Sequence, residues 1–600
     1  MKLLIDVVPY DRGRSGISVY AREVVRALAR GGHDLTLLCE HDFDVACLGL
    51  ATPPRLLRAP GWTRRAAFSM AWHLLLAPRL VRKSGCDVCL LLAANRRAFA
   101  RYPIPTVAVV HDLSQYHVGA KYDAFRMFYI RHVLPFFVRR AHAVVAISKS
   151  TKRDLVQFWK IHEPRVSVVY DGFTPVAPAG TDPAAPRDAI LYISRLEHPG
   201  KNHVRLVEAF GRLPAALRDR YRLVLVGGDW NGAEAVHAAV AASPCRDRIE
   251  LAGFVASEDL PRHWARTAAY VFPSLFEGFG LSLLEAMSVG VPCACSSTSS
   301  LGELGEGVAE LFDPESADDI ASALARLLSG DNAARIAAGK ARAAAFTWDA
   351  CAAGLLAAIP PARVFGVKID CTTMSDALGR VLDPKGGVFA FVNAHCLNLA
   401  YGDAGYRAAL AKFDAVWPDG TGVRWAGRIL GFPVPENVNG TDLFPLLADR
   451  LAAEGRSVYF YGARPGVAAQ AAANAQKSHP GLVVVGVTDG YVPEDEAVKA
   501  IAAAKPDVLL VALGVPMQEL WIQRNRERLN ARAVLAVGGL LDFLSGRHAR
   551  APMWMRRLGI EWLHRLWLEP VGKFRRYVIG NPLFLWRLRH HPQGRPKGGE

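Results

Sequence analysis

Short apolar runs alternate with amphipathic segments along most of this 600-residue chain. The runs have the length of strands and the segments between them have helical periodicity, which is typical of βα units on parallel sheets. The chain is therefore predicted to be an α/β protein. The strands predicted in its first part are Lys2–Val8, Leu35–Cys39, Val88–Leu92, Thr106–Val110, Ala143–Ile147 and Val166–Tyr170.

Two proline-containing breaks divide this pattern. A Pro/Ala/Gly-rich stretch at 174–187 is interpreted as a linker, and Pro360-Pro361 as a second boundary. The strands predicted between the breaks are Ala189–Ser194, Leu223–Val226, Ile249–Ala252, Tyr270–Phe272 and Pro292–Ala294. Those predicted after the second break are Val388–Asn393, Ala415–Trp417, Ser457–Tyr461, Leu482–Val487, Val508–Ala512 and Ala533–Val537. The predicted domains are 1–175, 176–360, 361–549 and 550–600.

Charge adds a hypothesis about partners. The net charge is +16, and the segment from Arg550 onward holds eleven Lys or Arg against three Glu, interleaved with Trp, Phe and Tyr. Aromatic and basic residues together are typical of a surface that meets an anionic membrane. RNA binding is the alternative, but no nucleic-acid module pattern is present, so no nucleic-acid partner is expected.

The sequence also argues against a membrane-spanning segment, a signal peptide and a zinc site. No uncharged apolar run reaches 18 residues, so membrane contact is expected to be peripheral. The N-terminal segment is predicted to be a strand rather than a signal peptide. The ten Cys lack zinc-site spacing and are interpreted as reduced thiols of a cytoplasmic protein, with no metal expected.

Polar residues at predicted strand ends mark a first candidate site. Gly16 lies in a turn before a helix, where backbone amides can approach a phosphate, and His111 follows an apolar strand. Arg195 and Lys201 suit a pyrophosphate whose charge must be stabilised as it leaves. A turn glycine and a surface lysine remain the plainer interpretations of Gly16 and Lys201. Glu277, in a Gly-rich turn, and Glu285, in the helix that follows it, can bind sugar and ribose hydroxyls.

A second candidate site lies in the third domain. Asn393 ends an apolar strand, and Asp419 lies in the sequence Trp-Pro-Asp-Gly-Thr-Gly, where a carboxylate can deprotonate an acceptor hydroxyl. An ordinary Asp-Gly turn is the alternative for Asp419. Further polar residues at strand ends are Tyr491, Gln518, Glu519 and Asp542.

The first set, over roughly residues 1–355, resembles the retaining glycosyltransferases of family 4. The resemblance rests on Gly16, His111-Asp112, Arg195, Lys201-Asn202, Glu277, Glu285 and Glu303. It implies a GT-B fold (a pair of doubly wound Rossmann-like domains), a nucleotide-diphosphate sugar donor and no metal. Arg195 and Lys201 would stabilise the leaving diphosphate, Glu277 would contact the sugar and Glu285 the ribose, and His111 would lie near the reacting carbon. Ser282 stands where the family often has Pro.

The second set, over residues 363–585, resembles glycosyltransferase family 26, which includes N-acetylmannosaminyl transferases. The resemblance implies inverting transfer from a UDP-sugar to a polyprenyl-diphosphate-linked acceptor, with Asp419 as general base. Asn393, Tyr491, Gln518, Glu519 and Asp542 would contact the donor nucleotide or sugar. A helical basic C-terminal appendage would dock over the site on the membrane, and its diphosphate-binding candidates are Arg550, Arg556, Arg557 and Arg565. Leu541 replaces the family's usual Phe.

Together these features predict a bifunctional enzyme on the cytoplasmic face of the inner membrane. It would transfer sugars from nucleotide-diphosphate donors to a lipid-linked saccharide acceptor of a bacterial surface polysaccharide or exopolysaccharide. Two alternatives remain open: a single-activity enzyme with one degenerate unit as scaffold, and a non-catalytic lipid-carrier or assembly module.

Overall fold

A computed structural model describes residues 1–8, 15–118, 124–175, 187–256, 258–552, 554–555 and 560–591. The chain divides into two compact units, Met1–Ile359 (unit 1) and Pro360–Glu600 (unit 2). The finer divisions at 175/176 and 549/550 stay predictions.

Unit 1 contains two fully parallel sheets. The first has seven strands in the order β3-β2-β1-β4-β5-β6-β7, and the second has six in the order β10-β9-β8-β11-β12-β13. The strands of the first sheet are β1 (Lys2–Asp6), β2 (Asp34–Cys39), β3 (Arg55–Arg58), β4 (Val88–Leu91), β5 (Thr106–Val110), β6 (Ala143–Ala146) and β7 (Val166–Val168). Those of the second are β8 (Ala189–Ile193), β9 (Arg222–Val226), β10 (Ile249–Gly253), β11 (Thr267–Phe272), β12 (Cys293–Ser296) and β13 (Glu310–Phe312).

Helices connect the strands of unit 1. Those of its first half are α1 (Gly16–Arg30), α2 (Ala66–Leu75), α3 (Ala77–Lys83), α4 (Ala124–Phe128), α5 (Leu134–Val138) and α6 (Lys149–Gln157), with a π-helical turn at Tyr129–Val133. Those that follow are α7 (His203–Gly211), α8 (Ala215–Arg220), α9 (Ala233–Ala242), α10 (Leu260–Arg266), α11 (Leu281–Ser288), α12 (Ser299–Gly305), α13 (Ala317–Ser329), α14 (Ala333–Ala344) and α15 (Trp348–Ala357).

The last helix of unit 1 returns to its first half. In α15, the Cys351 Sγ lies 3.9 Å from the Tyr20 hydroxyl of α1, and Asp349 forms an ion pair with Arg30 at 2.6 Å. The two halves are thus connected both by the chain between them and by the packing of α15 against α1.

Unit 2 is built on one parallel sheet in the order β17-β16-β21-β20-β18-β19, preceded by a small antiparallel hairpin, β14-β15. Its strands are β14 (Arg363–Val364), β15 (Val367–Lys368), β16 (Gly387–Val392), β17 (Ala415–Pro418), β18 (Ser457–Gly462), β19 (Val483–Thr488), β20 (Val508–Ala512) and β21 (Ala533–Ala536). Its helices are α16 (Met374–Leu382), α17 (Ala394–Gly402), α18 (Ala404–Leu410), α19 (Thr421–Leu430), α20 (Gly440–Glu454), α21 (Val467–Ser478), α22 (Glu494–Ala504), α23 (Met517–Asn525) and α24 (Leu540–Leu544), then Glu561–Leu568, Pro570–Phe574 and Gly580–His590.

The apolar pattern correctly locates the central strands because they are buried on both faces, as strands of parallel sheets are. It misses β3 and β13, which lie at sheet edges and are only partly buried. It also misses the two-residue strands of the β14-β15 hairpin. The predicted α/β class is confirmed.

The ends of neighbouring strands determine where ligands can bind. In the second sheet of unit 1 the strand order reverses between β8 and β11. In unit 2 the neighbours β16 and β21 are separated in sequence by all the other strands of the sheet. Open parallel sheets bind ligands beyond the carboxyl ends of their strands at such switch points. Ligand-binding residues are therefore expected in the segments after β8, β11, β16 and β21.

Candidate active sites

The carboxyl ends of β8 and β11 bring two predicted residues of unit 1 into direct contact. The Lys201 ammonium lies 2.6 Å from the Glu277 carboxylate, and each side chain is less than one-fifth exposed. The Glu277 backbone N–H donates to the Ser299 hydroxyl at 3.0 Å, which holds the Gly-rich turn in place. A cation and a carboxylate are thus held at the switch point of this sheet.

The same turn touches the first sheet. A Cβ added at Gly278 would lie 2.5 Å from the His111 carbonyl oxygen and 3.0 Å from the Asp112 Cβ. Only glycine allows this approach, so the turn that carries Glu277 packs against the backbone at His111, in the other half of unit 1.

His111 is buried and electrically neutral. Its Nε2 lies 2.7 Å from the Leu92 carbonyl oxygen, which can only accept, so Nε2 carries the hydrogen. Burial lowers the pKa of His111 to about 4. The Tyr20 ring packs edge-on against it at 4.7 Å. His111 therefore suits a fixed polar contact better than proton transfer.

Glu303 forms a second bridge between the two halves. Its carboxylate accepts hydrogen bonds from the backbone N–H groups of Lys149 and Ser150 at the start of α6, at 3.0 and 3.3 Å. It also accepts one from the Tyr170 hydroxyl at 2.6 Å. These hydrogen bonds connect α12 to the start of α6 and to Tyr170, so the two halves of unit 1 are in direct contact here.

The other predicted residues of unit 1 lie around this centre. Arg195 is half exposed, 3.2 Å from the Glu197 carboxylate and 4.7 Å from the Trp230 ring centre. Glu285 lies in α11, and burial raises its pKa to about 7. Gly16 begins α1, and no described atom lies within 4 Å of where its Cβ would be.

Gly278→Ala should lower the activity of the unit 1 site about tenfold or more, because overpacking a tight contact typically costs about 1–3 kcal/mol. The added methyl would push the Glu277 turn away from His111. Activities and melting temperatures of the purified variants would measure this. Gly211→Ala is the control, since its Cβ would meet no described atom within 4 Å; equal rates for both variants would contradict the expectation.

Unit 2 contains a cavity of about 570 Å³ beyond the ends of β16, β17, β20 and β21. Five of the predicted residues line it: Asn393, Asp419, Gln518, Asp542 and Arg550. Residues that come from four strand ends and from the C-terminal segment thus face one space, which is large enough for a small ligand.

Asp419 lies directly after β17, on the wall of this cavity. The Asn393 amide donates to its carboxylate at 3.3 Å, and Asn393 also caps α17 through the backbone N–H groups of His395 and Cys396. The backbone N–H of Gly420 donates to the Asn437 side chain. Gly420 has a φ of 87°, a conformation that favours glycine. The carboxylate is therefore held at a defined place beside the cavity.

Gln518 and Glu519 are adjacent but differ in position. Gln518 lines the cavity, whereas Glu519 lies behind it and is not among the lining residues. Burial raises the pKa of Glu519 to about 7.

The C-terminal segment supplies the cations of the cavity. Arg550 forms an ion pair with Asp442 at 2.7 Å, and Lys573 and Arg576 also line the space. Burial and the two cations Arg576 and Lys573 lower the pKa of His395 to about 4, so this ring is neutral. Lys573 in turn lies 3.4 Å from the Glu569 carboxylate, and Asp542 and Glu561 add further acidic groups to the lining. A ligand that carries phosphates can take the place of these carboxylates as the partner of the cations.

The remaining predicted residues lie elsewhere. Tyr491 follows β19 at the far edge of the sheet, is 71% exposed and does not line the cavity. Arg556 and Arg557 lie outside the described residues. Arg565 belongs to the helix Glu561–Leu568, but its side chain is not described.

Three family models match successive parts of the chain: Glycosyltransferase Family 4 at residues 14–175, Glycosyl transferases group 1 at 180–344, and the Glycosyl transferase WecG/TagA/CpsF family at 362–597. Among curated proteins, an N-acetylglucosaminyldiphosphoundecaprenol N-acetyl-beta-D-mannosaminyltransferase of Bacillus spizizenii is 34% identical over 193 residues, which is 32% of this chain and 74% of the relative. The chain belongs to the WecG/TagA/CpsF glycosyltransferase family. Its first unit is of the family 4 type, so the predicted combination and the GT-B class of unit 1 are confirmed.

Other relatives match the first unit. The O-antigen chain mannosyltransferase B of Escherichia coli is 29% identical over 257 residues, 41% of this chain and 67% of the relative. A sucrose-phosphate synthase structure from Thermosynechococcus elongatus is 22% identical, covers 60% of this chain and 98% of its own, and has a TM-score of 0.48.

Within the WecG/TagA/CpsF unit, sequence reasoning missed His395, Asn437, Lys573 and Arg576 as cavity residues. His395 is two positions from the predicted Asn393, so its closeness in sequence was the available signal; for Asn437 the sequence offered none. For Lys573 and Arg576 the sequence showed only that the C-terminal segment is rich in basic residues. Which of them face the cavity depends on how the helices of this segment dock, which the sequence pattern does not show. In the family 4 unit, Trp230 was missed because it meets Arg195 across two loops.

Proposed function

We propose that this glycosyltransferase is bifunctional and adds two sugars in succession to a polyprenyl-diphosphate-linked saccharide of a bacterial surface polysaccharide. The observation that carries the proposal is that each compact unit has its own set of charged residues at strand carboxyl ends. The names of the Bacillus and Escherichia relatives, which describe a diphosphoundecaprenol acceptor and an O-antigen chain, support the substrate class. The site of action would be the cytoplasmic face of the inner membrane.

Unit 2 is proposed to transfer a sugar from a UDP-sugar with inversion. Asp419 takes the proton of an acceptor hydroxyl, whose oxygen forms a bond to the anomeric carbon from the face opposite the leaving group. The bond from that carbon to the phosphate oxygen breaks, and UDP leaves with the electron pair. Arg550, Lys573 and Arg576 compensate the phosphate charges of the acceptor or donor.

Unit 1 is proposed to transfer with retention. Arg195 and Lys201 stabilise the departing nucleoside diphosphate, and the acceptor hydroxyl attacks the face from which it leaves. The hydroxyl proton then passes to the departing phosphate oxygen. His111, neutral and fixed, would contact the donor sugar beside Glu277, while Glu285 would bind the ribose. Since side-chain cations hold the diphosphate in both units, we expect neither reaction to need a metal, and chelators should leave both rates unchanged.

The decisive experiment supplies a polyprenyl-diphosphate-linked acceptor and a panel of UDP- and GDP-sugars to the purified protein, and follows products by mass spectrometry. We expect two successive mass increases, each from its own donor. A single addition under every donor combination would instead identify one unit as a scaffold, and no addition would leave a non-catalytic module.

The C-terminal segment is proposed to contact the anionic membrane that holds the acceptor. Among the described residues no helix combines the length and apolar content needed to cross a bilayer. Trp567 is 79% and Val571 94% exposed, close in sequence to Lys573 and Arg576. Exposed apolar side chains beside cations suit insertion at a lipid interface.

Trp567→Ser together with Val571→Ser should weaken binding to phosphatidylglycerol-containing vesicles about tenfold or more, because burying one such side chain contributes about 1.5–3 kcal/mol. Vesicle co-sedimentation would measure it. Leu446→Ser, an exposed apolar position of α20, is the matched control and should bind as the parent does. Undiminished binding of the double variant would refute this contact surface.

A further inference from the structure

Gln518 and Glu519 occupy the first turn of α23 at the edge of the unit 2 cavity. Gln518 is 1% and Glu519 0% exposed. Only Gln518 lines the cavity. Two neighbouring polar side chains are thus buried together, one at the wall and one behind it.

Two hydrogen bonds fix the orientation of the Gln518 amide. The backbone N–H of Gly538, after β21, donates to Gln518 Oε1 at 3.0 Å. Gln518 Nε2 donates to Glu519 Oε1 at 2.8 Å. A backbone N–H can only donate and a carboxylate oxygen accepts, so the oxygen and nitrogen of the amide cannot be exchanged without losing both bonds. The second hydrogen of Nε2 has no hydrogen-bond partner among the described residues, and Gln518 lines the cavity.

Glu519 has no other hydrogen-bonding role among the described side chains. Its Oε2 is buried without a partner, which is costly for a carboxyl group. Burial raises its pKa to about 7, and the hydrogen bond from Gln518 acts in the opposite direction. A buried carboxyl group that contributes one bond, to Gln518, and leaves an oxygen unsatisfied does little for folding.

We propose that Glu519 is a positioning residue that holds the Gln518 amide so that its remaining N–H donates to an oxygen of the bound nucleotide-sugar donor. This inference rests on the proposed function of unit 2 and replaces the direct ligand contact that the sequence suggested for Glu519. Without the carboxylate, only the bond from Gly538 orients the amide, and the remaining N–H loses its fixed direction toward the donor.

Glu519→Met and Glu519→Gln separate this role from others. The Met side chain is similar in size but accepts no hydrogen bond from an amide, so the KM for the donor should rise about three- to tenfold, the usual worth of one hydrogen bond. The Gln side chain still offers an oxygen to Gln518 Nε2 and should stay within about twofold of the parent. Melting temperatures measured alongside separate two effects of Glu519→Met: the lost bond to the buried Gln518 amide can lower stability, whereas only loss of donor binding raises KM.

A double-mutant cycle with Gln518→Leu completes the test. Once Gln518 is absent, Glu519→Met should have no further effect on KM, since coupled residues are non-additive. Equal damage from Glu519→Gln and Glu519→Met would mean that the carboxylate itself meets the ligand, and additive effects would mean that the residues act separately; either result overturns the inference. If the parent protein neither binds UDP nor transfers a sugar through unit 2, the proposed function fails first, and this inference falls with it.

Discussion

Asp419→Asn is expected to lower sugar transfer by unit 2 about 10²- to 10⁴-fold, the usual contribution of a general base. The acceptor hydroxyl would have no group to take its proton as its oxygen bonds to the anomeric carbon. The amide of Asn is nearly the same size as the carboxylate and can still accept from Asn393, so the site should keep its shape. The measurement is the rate of sugar addition by unit 2 to a lipid-linked acceptor, with the unit 1 reaction followed in parallel.

The control for Asp419→Asn is Asp403→Asn. Asp403 is an exposed aspartate of the same unit that caps α18 by accepting from the Tyr406 backbone N–H at 2.9 Å. The Asp403→Asn substitution removes the same charge outside the cavity and should leave both transfers intact. If Asp419→Asn keeps a rate within a few-fold of the parent at neutral pH, Asp419 is not the base. If it stops both transfers equally, the two sites are not independent.

The sequence predicts which segments gather at each site better than it predicts the depth of each side chain. Asp419 and Asn393 were identified because each follows a buried strand, and parallel strands end at the same edge. Gln518 and Glu519 have similar polarity and the same position relative to β20. Their separation into wall and interior depends on the direction in which α23 leaves the sheet, which the apolar pattern does not contain.

In the C-terminal segment, too, the sequence predicts the type of surface but not which residues reach the cavity. Its composition predicts a basic, aromatic surface, yet the identity of the cavity cations depends on how the last helix docks. Phe584 and Leu588 of that helix are buried, and the Arg587 guanidinium lies 4.2 Å from the Tyr401 ring centre. These contacts are long-range in sequence, so periodicity cannot reveal them. They set the position from which Lys573 and Arg576 reach the cavity.

Lys201→Ala is expected to lower transfer by unit 1 about 10²- to 10³-fold, the usual loss when one preorganised charge-stabilising group is removed. Lys201 is mostly buried at the switch point of the second sheet, and its charge would be needed most as the diphosphate departs. Initial rates of sugar addition by unit 1 would measure the loss. Lys152→Ala is the control, because it removes a lysine from a surface ion pair, with Glu163 at 3.4 Å, and should change the rate little.

Removing Lys201 also leaves Glu277 without its partner, so a loss of activity could come from lost stability. Lys201→Ala with Glu277→Ala distinguishes the two causes. Deleting both charges should restore the melting temperature that the single change lowers, because no buried carboxylate is left unpaired. Transfer by unit 1 should stay absent in the double variant, since the leaving group still lacks its cation and the donor sugar has lost a contact. Recovery of transfer along with stability would show that Lys201 serves the fold and not the reaction.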